Sequence, residues 1–483
     1  MPKYKNIATK LVLMEKIFRP HCAVLFAVFS VFSAAFTAQA GNWADEVNRD
    51  TAWTPSFASG ATNAIATPQQ LAQFAHILNS GTEFNSITFA GVTVIVTNSL
   101  DLSSHDWTSA GDWYNRFCGV FTAAPGVIIK GMTITAANTI DVGWGFAGLF
   151  GFIGEGGFVD GITLVNTRIN ISNHREVHIG AIAGFNGNGT IVNCQNDGDI
   201  FGYSDRAAII GGIVGVNERG FIGNCVSRGS VIGTVEPIRQ IYNTDVYVGG
   251  ISGHDLGALV NCVNYAAVSG SDEDYHGFIG GITGFSYDAF LANCVNHGAV
   301  TSETFADVGT IAGVVTGDNP VNCYWNNTVE GMPAEAIGNS FTSPAGCVPF
   351  GAAPGILRES VTIGGITTND LLVALNAWVG DNTPPANIKY TAWNLSGSPD
   401  GYPWFGSGGD KQFGVRITAI RVIEGADETK GVIELEFAAP AALFGRVALD
   451  DAAGWVYLRN VEGLSTTIPI TDGYHFFTAR NIK

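Results

Sequence analysis

Apolar and polar positions along this chain alternate with the period of strands, and the alternation itself repeats about every thirty residues. Five segments carry the first signature: IGAIAG from Ile179, IGGIVG from Ile210, VGGISG from Val248, IGGITG from Ile279 and VGTIAG from Val308. Start-to-start spacings are 31, 38, 31 and 29 residues. Each is followed, after a short turn, by IVNC at Ile191, IGNC at Ile222, LVNC at Leu259, LANC at Leu291 or PVNC at Pro320. A third short apolar stretch then appears, at Gly198, Gly229, Ala266 and Gly298. A diverged earlier copy begins at Ala147 and continues as FVDGITLVNTRIN.

One repeat cannot bury its own apolar face, whereas stacked repeats bury a continuous column. The pattern therefore predicts an all-β fold: a parallel β-helix, or β-solenoid, of three short strands per coil. In such a stack like residues lie roughly 4.8 Å apart in ladders. Cys194, Cys225, Cys262, Cys294 and Cys323 should form one ladder and Asn193, Asn224, Asn261, Asn293 and Asn322 another. A line of one thiol per coil cannot converge on zinc, and stacked Cβ atoms lie farther apart than a disulfide prefers. The thiols are expected to be buried and inert, the asparagines to satisfy turn backbone. Cys118 and Cys347 fall outside the ladder.

A solenoid exposes raw strand edges at both ends unless something covers them. Thr67-Pro68-Gln69-Gln70 reads as a capped helix start, with Leu71, Phe74, Ala75 and Leu78 on one face and Gly81 as its stop. A second helix is predicted from Asn369 to Gly380, carrying Leu372, Leu375, Trp378 and Val379. The first should plug the leading end, before strands around Ile87 to Val96, and the second should close the last coil. The organisation expected is a linker over 41–61, the solenoid with its caps over 62–406, a linker over 407–411 and a small β-sandwich over 412–483. Its strands are expected at Val415 to Val422, Val432 to Phe437, Gly445 to Leu449, Trp455 to Leu458, Thr467 to Ile470 and Tyr474 to Ala479.

Residues 1–40 read as a signal peptide. Lys3, Lys5, Lys10, Lys16 and Arg19 precede an apolar run from Ala23 to Phe36, and Ala38-Gln39-Ala40 offers a cleavage site. The run is shorter than the roughly twenty residues a spanning helix needs, so cleavage near Ala40, with no transmembrane segment in the mature chain, is expected over an uncleaved anchor. Loss of the leader removes five basic residues and Glu15, taking the formal charge from −18 to −22. So acidic a chain repels nucleic acid and anionic lipid. Apolar residues make up 46% against 14% charged, which excludes disorder.

TPQQLAQFAHILNSGTEF, VTVIVTNSLDLSSHDWTSAG, FCGVF, IKGMTI and AGLFG, with the NC repeats and LNAWV, YTAW and GYPWF up to Phe405, resemble bacterial GLUG-motif proteins over about residues 62–406. The chain departs from the pattern at Thr122-Ala123-Ala124-Pro125-Gly126, where an Asp-Gly-Asn-Gly turn is common. The resemblance implies a surface-exposed, adhesin-like or structural role. The same arrays occur in the non-catalytic parts of IgA-cleaving metalloproteases, and the resemblance carries no proteolytic activity.

No zinc-protease, nucleophile-elbow or P-loop signature occurs, and no catalytic residue, cofactor or metal ligand is assigned. His254 and His297 read as solvated turn residues. Asp199, Glu218, Arg219 and Arg228 are candidates for a carbohydrate-cleaving set but do not recur at matched places between coils. Ser271-Asp272-Glu273-Asp274 offers a calcium site, with a plain solvated loop as the alternative. Tyr203, Tyr265, Tyr287, Tyr324 and Trp325 are the candidate ligand-contact aromatics, suited to stacking on a glycan or a host or cell-surface protein. The function expected is a secreted or cell-surface binding or structural scaffold; the alternatives are a carbohydrate-active β-helix enzyme and a spacer carrying a C-terminal binding module.

Overall fold

The fold is a computed structural model. It describes residues 41–81, 88–135, 138–139, 144–173, 175–236, 245–272, 277–302, 304, 306–330, 332–340, 346–351, 355–386, 388–395 and 403–404, and the backbone of six strands between 417 and 481. The expected leader, 1–40, and linker, 407–411, lie outside the described residues.

The chain winds into a parallel β-solenoid of about eight turns. Three sheets form its walls: sheet 1 with 13 strands, sheet 2 with 14 and sheet 3 with 7. Within one coil the chain passes sheet 3 (Glu176–Gly180), sheet 1 (Ala183–Gly187 and Thr190–Val192) and sheet 2 (Gln195–Ser204). The third strand is longer than the repeat suggested. After Cys194 and Cys225 the next residues and the short apolar stretch beyond them make one ten-residue strand, paired in register from Gln195↔Val226 to Ser204↔Val235, whereas after Cys262 and Cys294 they remain two short strands.

Each wall contributes an inward apolar ladder. Ile179, Ile210, Val248, Ile279 and Val308 stack in sheet 3. Ile191, Ile222, Leu259 and Leu291 stack in sheet 1, and Ile200, Val231, Val268 and Val300 in sheet 2. Most of these side chains are fully buried in one continuous core. Between sheets 3 and 1 the chain bends so tightly that a Cβ on Gly211 or Gly280 would collide with the carbonyl of Val214 or Thr283. Only glycine fits there.

The corner between sheets 1 and 2 carries the two predicted ladders. Asn193, Asn224, Asn261, Asn293 and Asn322 all adopt a left-handed backbone, with φ between 53° and 55°. Asparagine tolerates that conformation better than other side-chain-bearing residues. Each amide donates to the carbonyl of the rung before it: Asn224 to Asn193 at 2.9 Å, Asn261 to Asn224 at 2.7 Å and Asn293 to Asn261 at 2.7 Å. Asn193 begins the row by donating to Asp160.

The five following cysteines are buried and free of disulfides. Each thiol donates to the carbonyl two residues before it, at 3.2–3.5 Å. Burial pushes Cys194, Cys225 and Cys294 well above the ordinary thiol range. Cys347 is a sixth rung, stacked on Cys323. The NC signature does not reveal it because Gly346, at φ 91°, supplies the left-handed corner in place of asparagine. Likewise Gly161 and Ile162 hold the Asn and Cys positions one coil above Asn193 and Cys194.

Helix α1, Pro68–Asn79, starts where expected, Thr67 Oγ1 accepting from the Gln70 amide at 3.2 Å. Its Phe74 inserts among Phe89, Phe117, Phe121 and Phe150, so the helix plugs the leading coils. Residues 41–61 are not a linker. Trp43 is buried and its indole N–H donates to Leu102 O, fixing this segment to the first coils.

Helix α2, Leu371–Asp381, begins two residues later than expected, on an Asp370 cap, and does not close the end of the stack. The last parallel strand of sheet 2, Cys347–Phe350, is followed by an antiparallel hairpin over 356–370 that extends the sheet. The helix then folds back along the side of the solenoid, and a return segment over 388–393 lies on the asparagine row. Asn293 donates to Leu375 O, Asn261 to Thr391 O and Asn224 to Lys389 O, while the Trp393 indole donates to Asn261 at 2.6 Å. Helix and return segment form a strap across several coils. The six C-terminal strands make two three-stranded antiparallel sheets, at Ile417–Ile423, Val432–Phe437, Ala441–Arg446, Val456–Val461, Ser465–Pro469 and Phe476–Asn481.

Candidate binding face

Alternation in sheet 2 points every second side chain outward, and stacking turns these into columns along the axis. One column runs Ser99, Ile128, Thr163, Gln195, Val226, Val263, Val295 and Tyr324. Its character changes at Val226. From there the valines, with Tyr324, pack under the strap's Leu371, Ala374, Leu375 and Trp393. Above that point no strap residue among those described packs on the column, which is largely polar.

The neighbouring column runs Asp101, Lys130, Val165, Asp197, Arg228, Tyr265 and His297. In its open part Lys130 Nζ lies 3.0 Å from Asp101, both side chains about half exposed. Asn166, in a left-handed bulge, and Arg168 stand beside them. Two confluent depressions of about 620 and 350 Å³ follow these coils, sharing Asp101, Lys130 and Asn166; Ile128, Val165 and Asp197 floor the larger. Burial raises the Asp197 carboxyl, the Arg228 guanidinium partly offsetting this and Asp199 adding to it. Ser230 donates to Asp199 at 2.6 Å.

The column leaves the trough as a stack of flat groups. Arg228 lies 4.1 Å above the Tyr265 ring, Tyr265 stacks on His297 at 4.6 Å, and His297 meets Phe350 edge-on. The trough is thus open toward the first coils and stopped at the strap.

Asp199 and Arg228, which do not recur between coils, each have a charged neighbour in register, Arg168 beside Asp199 and Asp197 beside Arg228. The diverged early coils concealed the rest, since they carry no Asn-Cys signature to mark the register that sets Asp101 on Lys130. Glu218 and Arg219 lie elsewhere, at a bend of sheet 1 where Arg219 has φ 55°.

The candidate aromatics scatter. Tyr324 and Trp325 are 1% and 7% exposed, one under the strap and one in the main core, so neither offers a ring face to a ligand. Tyr265 is sandwiched between Arg228 and His297. Tyr203 is half-buried and donates to Glu236. Tyr287 alone of the five is broadly exposed, at 48%. His254 and His297 are not solvated turn residues. His254 stacks between Tyr247 and Phe285, and burial lowers it to about 4; His297 is buried and lowered to about 3. Asp272 is buried rather than solvated, and Glu273 and Asp274 lie outside the described residues. Among the described residues no group of three His, Cys, Asp or Glu side chains is placed to hold a metal, and no helix is long and apolar enough to cross a membrane.

The fold defines the class: a β-solenoid scaffold with an open polar trough bounded by a side-docked strap. No family model, curated protein or solved structure matches this chain.

Proposed function

We propose that the chain is an exported, surface-displayed GLUG-type binding scaffold, adhesin-like and without catalytic activity, whose ligand lies in the trough on sheet 2. The observation that carries this reading is the division of one sheet face: the strap covers the apolar half, while Asp101, Lys130, Asn166, Arg168 and Asp197 line the other. A row of asparagine hydrogen bonds borders the wall, and a preorganised wall loses little entropy on binding. Expression in a bacterial host followed by cell fractionation and N-terminal sequencing tests export; a chain beginning at Gly41 outside the cytoplasm is expected. A panel of glycans and host-surface proteins tests binding. Finding the intact N-terminus in the cytoplasm would remove the surface role.

A second reading, a carbohydrate-active enzyme, is favoured by one observation. Asp197, raised by burial, stands two residues from Asp199 on the same outer face, and a carboxyl raised by burial beside a second carboxyl suits acid–base chemistry. Release of glycan fragments by the purified chain, lost in Asp197→Asn, would establish this reading in place of the first.

A further inference from the structure

We propose that the trough takes an uncharged, hydroxyl-rich polysaccharide, lying along the solenoid axis with its end stopped at Arg228. The inference rests on the binding reading above and adds the ligand class, the subsite and the direction.

The chemistry of the lining selects the class. Reading along the axis, the column presents a carboxylate, an ammonium, an aliphatic side chain, a carboxylate and a guanidinium. Arg168 and Asp199 repeat the mixture alongside. A polyanion would meet Asp101, Asp197 and Asp199 within a chain of net charge −18, and a polycation would meet Lys130, Arg168 and Arg228. Each would leave like charges opposed, which costs binding and slows encounter. A chain of hydroxyls both donates and accepts, so it pairs with both signs, with the Asn166 amide and with Ser99 and Ser103. Ile128 and Val165 give the floor an apolar strip for the C–H faces of sugar rings.

The shape selects an extended polymer. The depressions span the coils that carry Asp101, Lys130, Val165 and Asp197, about three rung spacings of roughly 4.8 Å each. At the far end Arg228 is only 9% exposed, seated on Tyr265, and the strap begins beyond it. A chain entering from the first coils therefore ends against the guanidinium.

Affinity electrophoresis and calorimetry with the full chain provide the test. The probes are soluble neutral glucans, mannans and galactans of defined length, heparin as the polyanion and chitosan as the polycation. At least one neutral polymer should bind while heparin and chitosan do not. Loss of the charge-assisted hydrogen bonds in an Asp101→Ala/Lys130→Ala double variant should weaken binding about tenfold or more. Phe290→Ala, an exposed change on the outer face of sheet 1, should leave it unaltered. Capping the non-reducing or the reducing end with a bulky dye should weaken binding for one end only.

Binding confined to heparin or chitosan would overturn the ligand class. Neutral-glycan binding that survives the double variant but is lost in Phe290→Ala would overturn the subsite while leaving a binding scaffold intact. No binding to any glycan, with capture of a host-surface protein instead, would overturn this inference and retain the scaffold.

Discussion

Asp255 shows how much a single buried residue can set. It continues a second polar row inside sheet 1, accepting from Asn217, which in turn accepts from Asn186. Its Oδ1 also accepts from the Gly257 amide, but its Oδ2 and the Oγ of Ser286, its neighbour in register, are buried with no partner. Burial, opposed by the two hydrogen bonds, lifts the carboxyl to about 6. A carboxyl whose folded value lies above its unfolded one favours the folded chain below about pH 4, and that benefit disappears as pH rises through about 6. The swing is about 3 kcal/mol for this group. Asp255→Asn supplies a donor beside Ser286 and removes the charge, so thermal unfolding should show higher stability at pH 8 and a flatter profile between pH 4 and 8. A lower melting temperature at pH 8 would contradict this account. The ladder thiols make a second residue-scale expectation. Buried, and at Cys194, Cys225 and Cys294 held protonated, they should resist thiol reagents at pH 8 until denaturant is added; rapid labelling of Cys225 in the folded chain would refute it.

At the scale of elements, the asparagine row is both corner and dock. Asn261 adopts φ 55°, accepts from Asn293 and from the Trp393 indole, and donates to Asn224 and the strap. Asn261→Ala loses these bonds and strains the left-handed corner, whereas Asn261→Gly loses the bonds alone. Urea midpoints should place both below the native chain, with alanine lower by about 1 kcal/mol. Equal losses would mean that the corner imposes no backbone demand. Trp393→Ala should act differently, loosening the strap before the coils. Hydrogen exchange should quicken first over 371–393 and over Val226, Val263 and Val295, which the strap covers.

At the scale of the whole molecule, a stack of coils should tolerate loss of one complete turn. Excising residues 163–194 joins Ile162 to Gln195 and keeps every side chain on its face, because Thr163 pairs with Gln195. The shortened chain should keep its far-ultraviolet spectrum and unfold cooperatively. Excising one residue more or fewer turns inward side chains outward and should abolish folding. Folding of both shortened chains alike would be incompatible with the register described.

The wall structure was legible from the chain alone because each coil repeats one local rule. The Ile/Val alternation, the Gly-Gly bends and the Asn-Cys pair state which face is inward and where the chain turns, and these depend on near neighbours in sequence. Cys347 escaped because glycine met the same backbone demand that asparagine meets elsewhere. The trough escaped because Asp101, Lys130 and Asp197 acquire their relation only when coils of unequal length are wound into register. The strap lay further out of reach. The amphipathic pattern of α2 specifies an apolar face but not its partner, and the end of the stack and the valine column at its side satisfy that face equally well. Only the folded chain, which brings Asn224, Asn261 and Asn293 opposite the carbonyls of Lys389, Thr391 and Leu375, decides between them.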